Sequence, residues 1–207
     1  MGSEVSVRHV VNHLKLLYVQ HGIHNVNFVT PDHFLPHITK IVELLRQDQV
    51  PVPVVYNTSG YCSVSSIQSS EPFVDIYMPD FKFGNSAVAK QLGRAEDYVD
   101  NALPALEEMV RQKGPLDVPL FLRNSAKQGV FVRHLVIPGF IDSSIQVLDL
   151  LYERFGADLP VHIMSQYWPA RSLTHKDLNR RLYPEEIRRV NDHALALGFS
   201  NLLLQSI

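Results

Sequence analysis

Apolar residues recur along the chain at two alternating spacings. Val7, Val10, Val11, Leu14, Leu17 and Tyr18 repeat at helical intervals, with Ser6 placed to cap the helix and Gly22 to stop it. A short apolar run, His24 to Val29, follows and ends at Thr30-Pro31, which predicts a strand. The same alternation continues with a helix over 33–47, a strand over 54–57, a short helix after Ser63 and a strand over 74–78. Helices are predicted over 85–92 and 98–113, then a strand over 130–137, a helix over 144–155, a strand over 161–165, a helix over 184–197 and a last apolar run over 202–205. Strands alternating with helices of this length imply right-handed crossovers and parallel pairing, in a doubly wound sheet or a full or partial barrel. Ligand chemistry in all three collects at the C-terminal ends of the strands.

Those ends carry polar or turn-forming residues in series: Thr30-Pro31-Asp32-His33, Asn57-Thr58-Ser59-Gly60-Tyr61, Pro79-Asp80-Phe81-Lys82, Pro138-Gly139 and Ser165-Gln166-Tyr167-Trp168-Pro169. Any one junction is explained by helix capping or an Asx-turn. Five together point to the mouth of a ligand site. Asp80 and Lys82, two apart, leave an extended strand on one side, where they form a surface ion pair or hold a ligand's charged groups. Arg133 lies inside an apolar strand and is expected to point into the mouth or to pair with a buried carboxylate.

The 207 residues, 45% hydrophobic and 19% charged, suit a single domain over 1–207. A net charge of -2 gives no footprint for nucleic acid. No apolar run reaches the roughly 18 to 20 residues that span a bilayer, so a cytoplasmic protein without membrane association is expected. Met1, Gly2 and Ser6 match a loose acylation pattern, which is too short to outweigh that reading. His9 and His13 sit one turn apart without a third ligand and read as a solvated face, with His21 and His37 read alike. His24, His134 and His162 read as hydrogen-bonded core histidines, which leaves a His/Asp metal-dependent hydrolase barrel as an alternative. The single cysteine, Cys62, reads as a loop thiol and cannot replace the three or four thiolates that a structural zinc or iron-sulfur site uses.

The segments GIHNVNFVTPDHF, VVYNTSGY, VDIYMPDFKFGNS, VRHLVIPGF and IMSQYWP together resemble the radical S-adenosylmethionine superfamily, in particular proteins similar to pyruvate formate-lyase activating enzyme. The resemblance implies an α/β fold, a parallel (βα) partial barrel, here missing its first strand. It implies S-adenosylmethionine and a 4Fe-4S cluster as cofactors, generation of a 5'-deoxyadenosyl radical, and a glycyl-radical enzyme or another protein as partner. By position, Thr30 and His33 fall where relatives carry a Gly-Gly-Glu segment, and Asn57, Thr58 and Gly60 fall on the third-strand segment near the ligand. Asp80 and Lys82 match a D-x-K motif, Arg133 the fifth-strand arginine beside the cofactor, and Gln166 the sixth-strand end near the adenosine. The family's C-x-x-x-C-x-x-C loop is not in this sequence. The chain resembles such a protein entered at its first helix, so radical chemistry is not expected from this polypeptide alone, and self-association through the unpaired edge of the first strand is. A non-catalytic homologue that binds a nucleoside-like ligand or a protein partner is a second reading.

Overall fold

A computed structural model describes residues 4–119, 125–170 and 172–205. Residues 1 and 2 of the acylation pattern and residues 120–124 of the segment joining the two halves lie outside the described residues. Helix α1 (Val7–His21) begins where the Ser6 hydroxyl accepts from the His9 amide and ends at Gly22, whose φ of 59° suits a residue without Cβ. The array continues as β1 (Val26–Val29), α2 (Leu35–Gln47), β2 (Val54–Thr58), α3 (Val64–Ser70), β3 (Ile76–Pro79), α4 (Ser86–Val88) and α5 (Tyr98–Lys113). Its second half holds β4 (Gly129–Val130), β5 (Val132–Leu135), α6 (Ile141–Phe155), β6 (Val161–Met164), α7 (Pro184–Leu197) and β7 (Leu202–Leu204).

All strand pairs are parallel, in the orders β1-β2-β3-β4 and β5-β6-β7. The strand expected over 130–137 breaks at Phe131 into β4 and β5. The two sheets stay joined because the Phe131 amide donates to Tyr77 O at 3.1 Å and the Phe81 amide to Arg133 O at 2.8 Å. The result is an open, curved α/β array rather than a closed barrel, with β1 and β7 at its edges among the described residues.

Other boundaries moved for local reasons. β1 starts at Val26 rather than His24, because its partner ladder starts at Val54 and Pro53, just before, has no N–H to donate. β3 starts at Ile76 rather than Val74, whose amide is still tied to Ser70 O at the end of α3. A 3-10 turn, Pro31–Phe34, precedes α2, and the helix expected over 85–92 is only α4 followed by a π-helical turn, Ala89–Gly93.

Helices cover one face of the sheets. Tyr56, Tyr77, Val130, Val132, Val161 and Ile163 point into the main core with α3, α5, α6 and α7 residues such as Ile67, Leu106, Met109, Leu148 and Val190. A smaller core joins Val11 of α1 and Ile41, Leu44 and Leu45 of α2 to Val26. Because side chains alternate along a strand, Asn57, Arg133 and His162, each next to a core-facing residue, turn to the opposite, concave face.

Candidate functional site

Arg133 organises the concave face. Its Nη2 donates to Asn57 Oδ1 at 2.8 Å and lies 2.7 Å from Asp80 Oδ1, an approach driven by charge and out of line for a hydrogen bond. Lys82 Nζ donates to the other carboxylate oxygen, Oδ2, at 2.8 Å. Asn57, Asp80, Lys82 and Arg133, drawn from β2, the segment after β3, and β5, therefore form one contiguous polar group. Arg133 both faces the mouth and pairs with a carboxylate, which answers its desolvation cost from two sides. Asp80 is mostly shielded, 18% of its side chain exposed, whereas Lys82 at 42% reaches solvent.

The backbone beneath these side chains is fixed at every polar atom from Asp80 N to Lys82 N. The Asp80 amide donates to Thr58 O at 3.0 Å, and the Phe81 amide to Arg133 O. The Tyr98 hydroxyl donates to Asp80 O at 3.2 Å and accepts from the Lys82 amide at 2.8 Å. Tyr98 is itself held by Tyr61, Phe81 and Phe83, with ring centroids 5.7, 5.9 and 5.2 Å away. His134 Nδ1 donates to Phe81 O at 2.7 Å; a carbonyl only accepts, so Nε2 is the unprotonated nitrogen and accepts from Ser144 Oγ at 2.9 Å. Burial lowers the His134 pKa to about 4, only partly opposed by the Phe81 carbonyl. Gly60, with φ at 77°, lets the β2 end approach this segment so closely that a Cβ there would sit 1.9 Å from Asp80 O.

The remaining sequence candidates divide. Thr58 is buried, and its hydroxyl accepts from the Gly60 amide at 3.3 Å, so it shapes the turn rather than facing the mouth. Thr30 ends β1 with φ at 50°, its amide donating to Asn57 O at 2.8 Å. His33 is exposed in the 3-10 turn, while its neighbour Asp32 accepts from the Tyr56 hydroxyl at 3.0 Å. Gln166 lies past β6 in a separate cavity of about 750 Å³ with Ser165, Tyr167, Trp168, Arg181, Leu182, Leu204 and Gln205. There the Arg181 guanidinium stacks over the Trp168 ring, 4.2 Å from its centroid.

The three strand-associated histidines differ. His134 is a satisfied core residue. His24 is exposed ahead of β1, because that strand starts two residues later than expected. His162 is not satisfied: its Nε2 is buried without a hydrogen-bond partner among the described residues. His9, His13, His21 and His37 are exposed on their helices. The Cys62 thiol is pushed up to about 11 by burial, reinforced by Asp32, and stays protonated near neutral pH. Among the described residues no three His, Cys, Asp or Glu side chains gather as a metal-ligand set, which leaves the hydrolase alternative without a site there. The polar atoms of the mouth fit a ligand with hydrogen-bonding oxygens and nitrogens. An iron-sulfur cluster does not fit this chain, whose one cysteine cannot supply three thiolates. Tyr98 went unread in the sequence, and His162 was read as a satisfied core histidine, because nothing in their spacing marks what a side chain from another element meets.

No family model matches the chain. Uncharacterized protein MJ0674 of Methanocaldococcus jannaschii is 30% identical over 167 residues, covering 80% of this chain and 44% of that protein. Lipoyl synthase of Alkaliphilus metalliredigens is 22% identical over 139 residues, covering 64% of this chain and 48% of the synthase. The chain thus spans less than half the length of these curated relatives. Streptococcus suis SuiB bound to precursor peptide SuiA superposes with a TM-score of 0.64 at 10% identity, over 99% of this chain and 43% of SuiB. SuiB bound to S-adenosylmethionine gives 0.61 at 11% identity, over 100% of this chain and 44% of SuiB. The fold is of the radical S-adenosylmethionine type, in open form.

Proposed function

We propose that the Asn57-Asp80-Lys82-Arg133 group binds S-adenosylmethionine, and that the chain is the ligand-binding part of a radical S-adenosylmethionine protein acting on a polypeptide. The observation that carries this reading is the Arg133 bridge from β5 to Asn57 and Asp80, which lie at the C-terminal ends of β2 and β3 where this fold places ligands. In this reading Asp80 and Lys82 meet opposite charges of the ligand, Arg133 and Asn57 meet its oxygens, and the Tyr98 and His134 hydrogen bonds hold Asp80 and Lys82 in place without reorganisation. Gln166 and Trp168 border the nucleoside end. When bound beside a reduced iron-sulfur cluster, S-adenosylmethionine would supply a 5'-deoxyadenosyl radical; the thiolates for such a cluster are not among these 207 residues. The precursor peptide bound by SuiB supports a polypeptide substrate, of which a glycyl-radical enzyme is one kind. The single cysteine favours a second reading, a binder without catalysis.

Three charge-assisted contacts of about 1.5 to 3 kcal/mol each, against an association cost of at least about 4 kcal/mol, leave at most about 5 kcal/mol, a dissociation constant of about 0.2 mM at the tightest and millimolar or weaker otherwise. Calorimetric titration of S-adenosylmethionine into the chain is expected to give that affinity and to lose it in Asp80→Ala. Equal binding by Asp80→Ala, or none by the unaltered chain, would overturn the site. Micromolar binding lost in Asp80→Ala would favour the non-catalytic reading.

A further inference from the structure

The concave face carries more polar atoms than its own contacts use. Asp80 Oδ1, Arg133 Nε and His162 Nε2 are each buried and without a hydrogen-bond partner among the described residues. They belong together: Asp80 and Arg133 are bridged strand residues in ion-pair contact, and Arg133 and His162 are register partners on β5 and β6. Asp80 Oδ1 has the Arg133 charge beside it but no aligned donor, whereas Arg133 Nε and His162 Nε2 have no partner at all among the described residues. Leaving such atoms without hydrogen bonds is costly, and their grouping on one face is the mark of a place that a ligand completes. His162 does not occupy it as a second cation. Burial, and after it the adjacent Arg133 charge, lower its pKa and favour the neutral ring.

The orphaned atoms are of mixed kind. Arg133 Nε can only donate, Asp80 Oδ1 can only accept, and a neutral His162 Nε2 does either according to tautomer. A carboxylate, which only accepts, would be repelled by Asp80 and leave its Oδ1 with only the out-of-line Arg133 contact, and an ammonium, which only donates, would leave Arg133 Nε without an acceptor. A hydroxyl donates and accepts at once. Resting on the S-adenosylmethionine reading above, we propose that His162 is a further ligand-binding residue of the mouth, its Nε2 hydrogen-bonding a sugar hydroxyl of the ligand beside Arg133.

The test compares the unaltered chain with His162→Phe, which keeps a ring and removes the nitrogen, and His162→Gln, whose amide can replace Nε2. Each is titrated with S-adenosylmethionine and with 5'-methylthioadenosine, which keeps the sugar and lacks the amino-acid end. His162→Phe is expected to weaken both compounds about tenfold, with His162→Gln within about threefold of the unaltered chain. In the unaltered chain, the His162 imidazole nitrogen resonances should shift on adding either compound; this readout stands even if His162→Phe fails to fold. Undiminished binding of both compounds by His162→Phe, with His162 resonances unmoved, would overturn the proposal and leave the S-adenosylmethionine site standing. Loss confined to S-adenosylmethionine would place the contact at the amino-acid end and overturn the hydroxyl assignment. Binding of neither compound by the unaltered chain would overturn the underlying site and this proposal with it.

Discussion

The segment after β3 and the segment after β6 both leave a parallel strand at the same end of the array, yet they are held by different means. After β3, each backbone donor and acceptor from Asp80 N to Lys82 N has a partner on another element, and two buried side chains, Tyr98 and His134, provide three of those five bonds. After β6, the contacts are made mainly by side chains at the surface: Gln205 accepts from the Ser165 amide at 3.0 Å, Tyr167 donates to Leu178 O at 2.9 Å, and Arg181 covers a Trp168 that is 63% exposed. A backbone held in this way presents charged groups at fixed positions before any ligand arrives, the condition under which charge-assisted bonds bring the most affinity. The β6 side instead borders an open cavity of about 750 Å³, lined partly by exposed side chains such as Trp168 and Arg181.

The largest effect that would test this contrast is expected at Gly60. Alanine there requires a left-handed backbone at a residue with Cβ and places that atom 1.9 Å from Asp80 O, a backbone atom whose neighbours are all bonded. Gly60→Ala is expected to destabilise the fold by about 3 kcal/mol or more in urea unfolding. A loss below about 1 kcal/mol would mean that the β2 and β3 ends shift apart easily and that the clamped segment is no stiffer than the other.

His134 comes next. His134→Leu leaves Phe81 O and the Ser144 hydroxyl buried without their partner, at an expected cost of about 2 to 4 kcal/mol near neutral pH. The pH dependence gives a separate signature. The folded-state pKa, about 4, lies below the ordinary 6.5, so protons bind the unfolded chain first as the solution is acidified. The stability that rests on a neutral His134 is complete above pH 6.5 and is lost as pH falls toward about 4, by about 3 kcal/mol in all. Unfolding free energies measured across that window should show the slope in the unaltered chain and a flatter profile in His134→Leu. Parallel profiles would assign the acid sensitivity to other groups.

Why some of this was legible in the sequence and some was not follows from the range of each signal. Helix and strand order depends on local periodicity, so α5 and α7 were placed to the residue and each strand was found within a few residues. Their ends depended on partners: Val74 looks like strand sequence but is bound to α3, and Phe131 looks like the middle of a strand but is where one sheet becomes two. Asn57, Asp80 and Lys82 were visible as polar residues at the ends of apolar strands, and Arg133 as a charge inside one, because each breaks an apolar pattern. His134 and His162 both lie in predicted strands and read alike as core histidines. The register of β5 on β6 separates them: alternation turns His134 toward Ser144 of α6, and His162, opposite Arg133, to the other face. Thr58 shows the converse: adjacent to Asn57 and matched by motif, it is turned by the same alternation into the interior.

The smallest effect is expected at Trp168. If the β6 side is built from adjustable surface side chains, removing its most prominent one should cost little, because the ring is 63% exposed and its main contact is an exposed cation over its face. Such a contact contributes about 0.5 to 1 kcal/mol, so Trp168→Ala should lower the unfolding midpoint by only about 1 to 4 °C. A double-mutant cycle with Arg181→Ala isolates the pair from any change each substitution makes alone. Coupling of about 0.5 to 1 kcal/mol is the expected result, and it would match the picture of two side chains that touch each other more than they touch the fold. Coupling above about 2 kcal/mol would require that the pair be held by surroundings as ordered as those of Tyr98. In that case the two strand ends would be equally preorganised, and the cavity around Gln166 would be as rigid a receptor as the Asp80 segment.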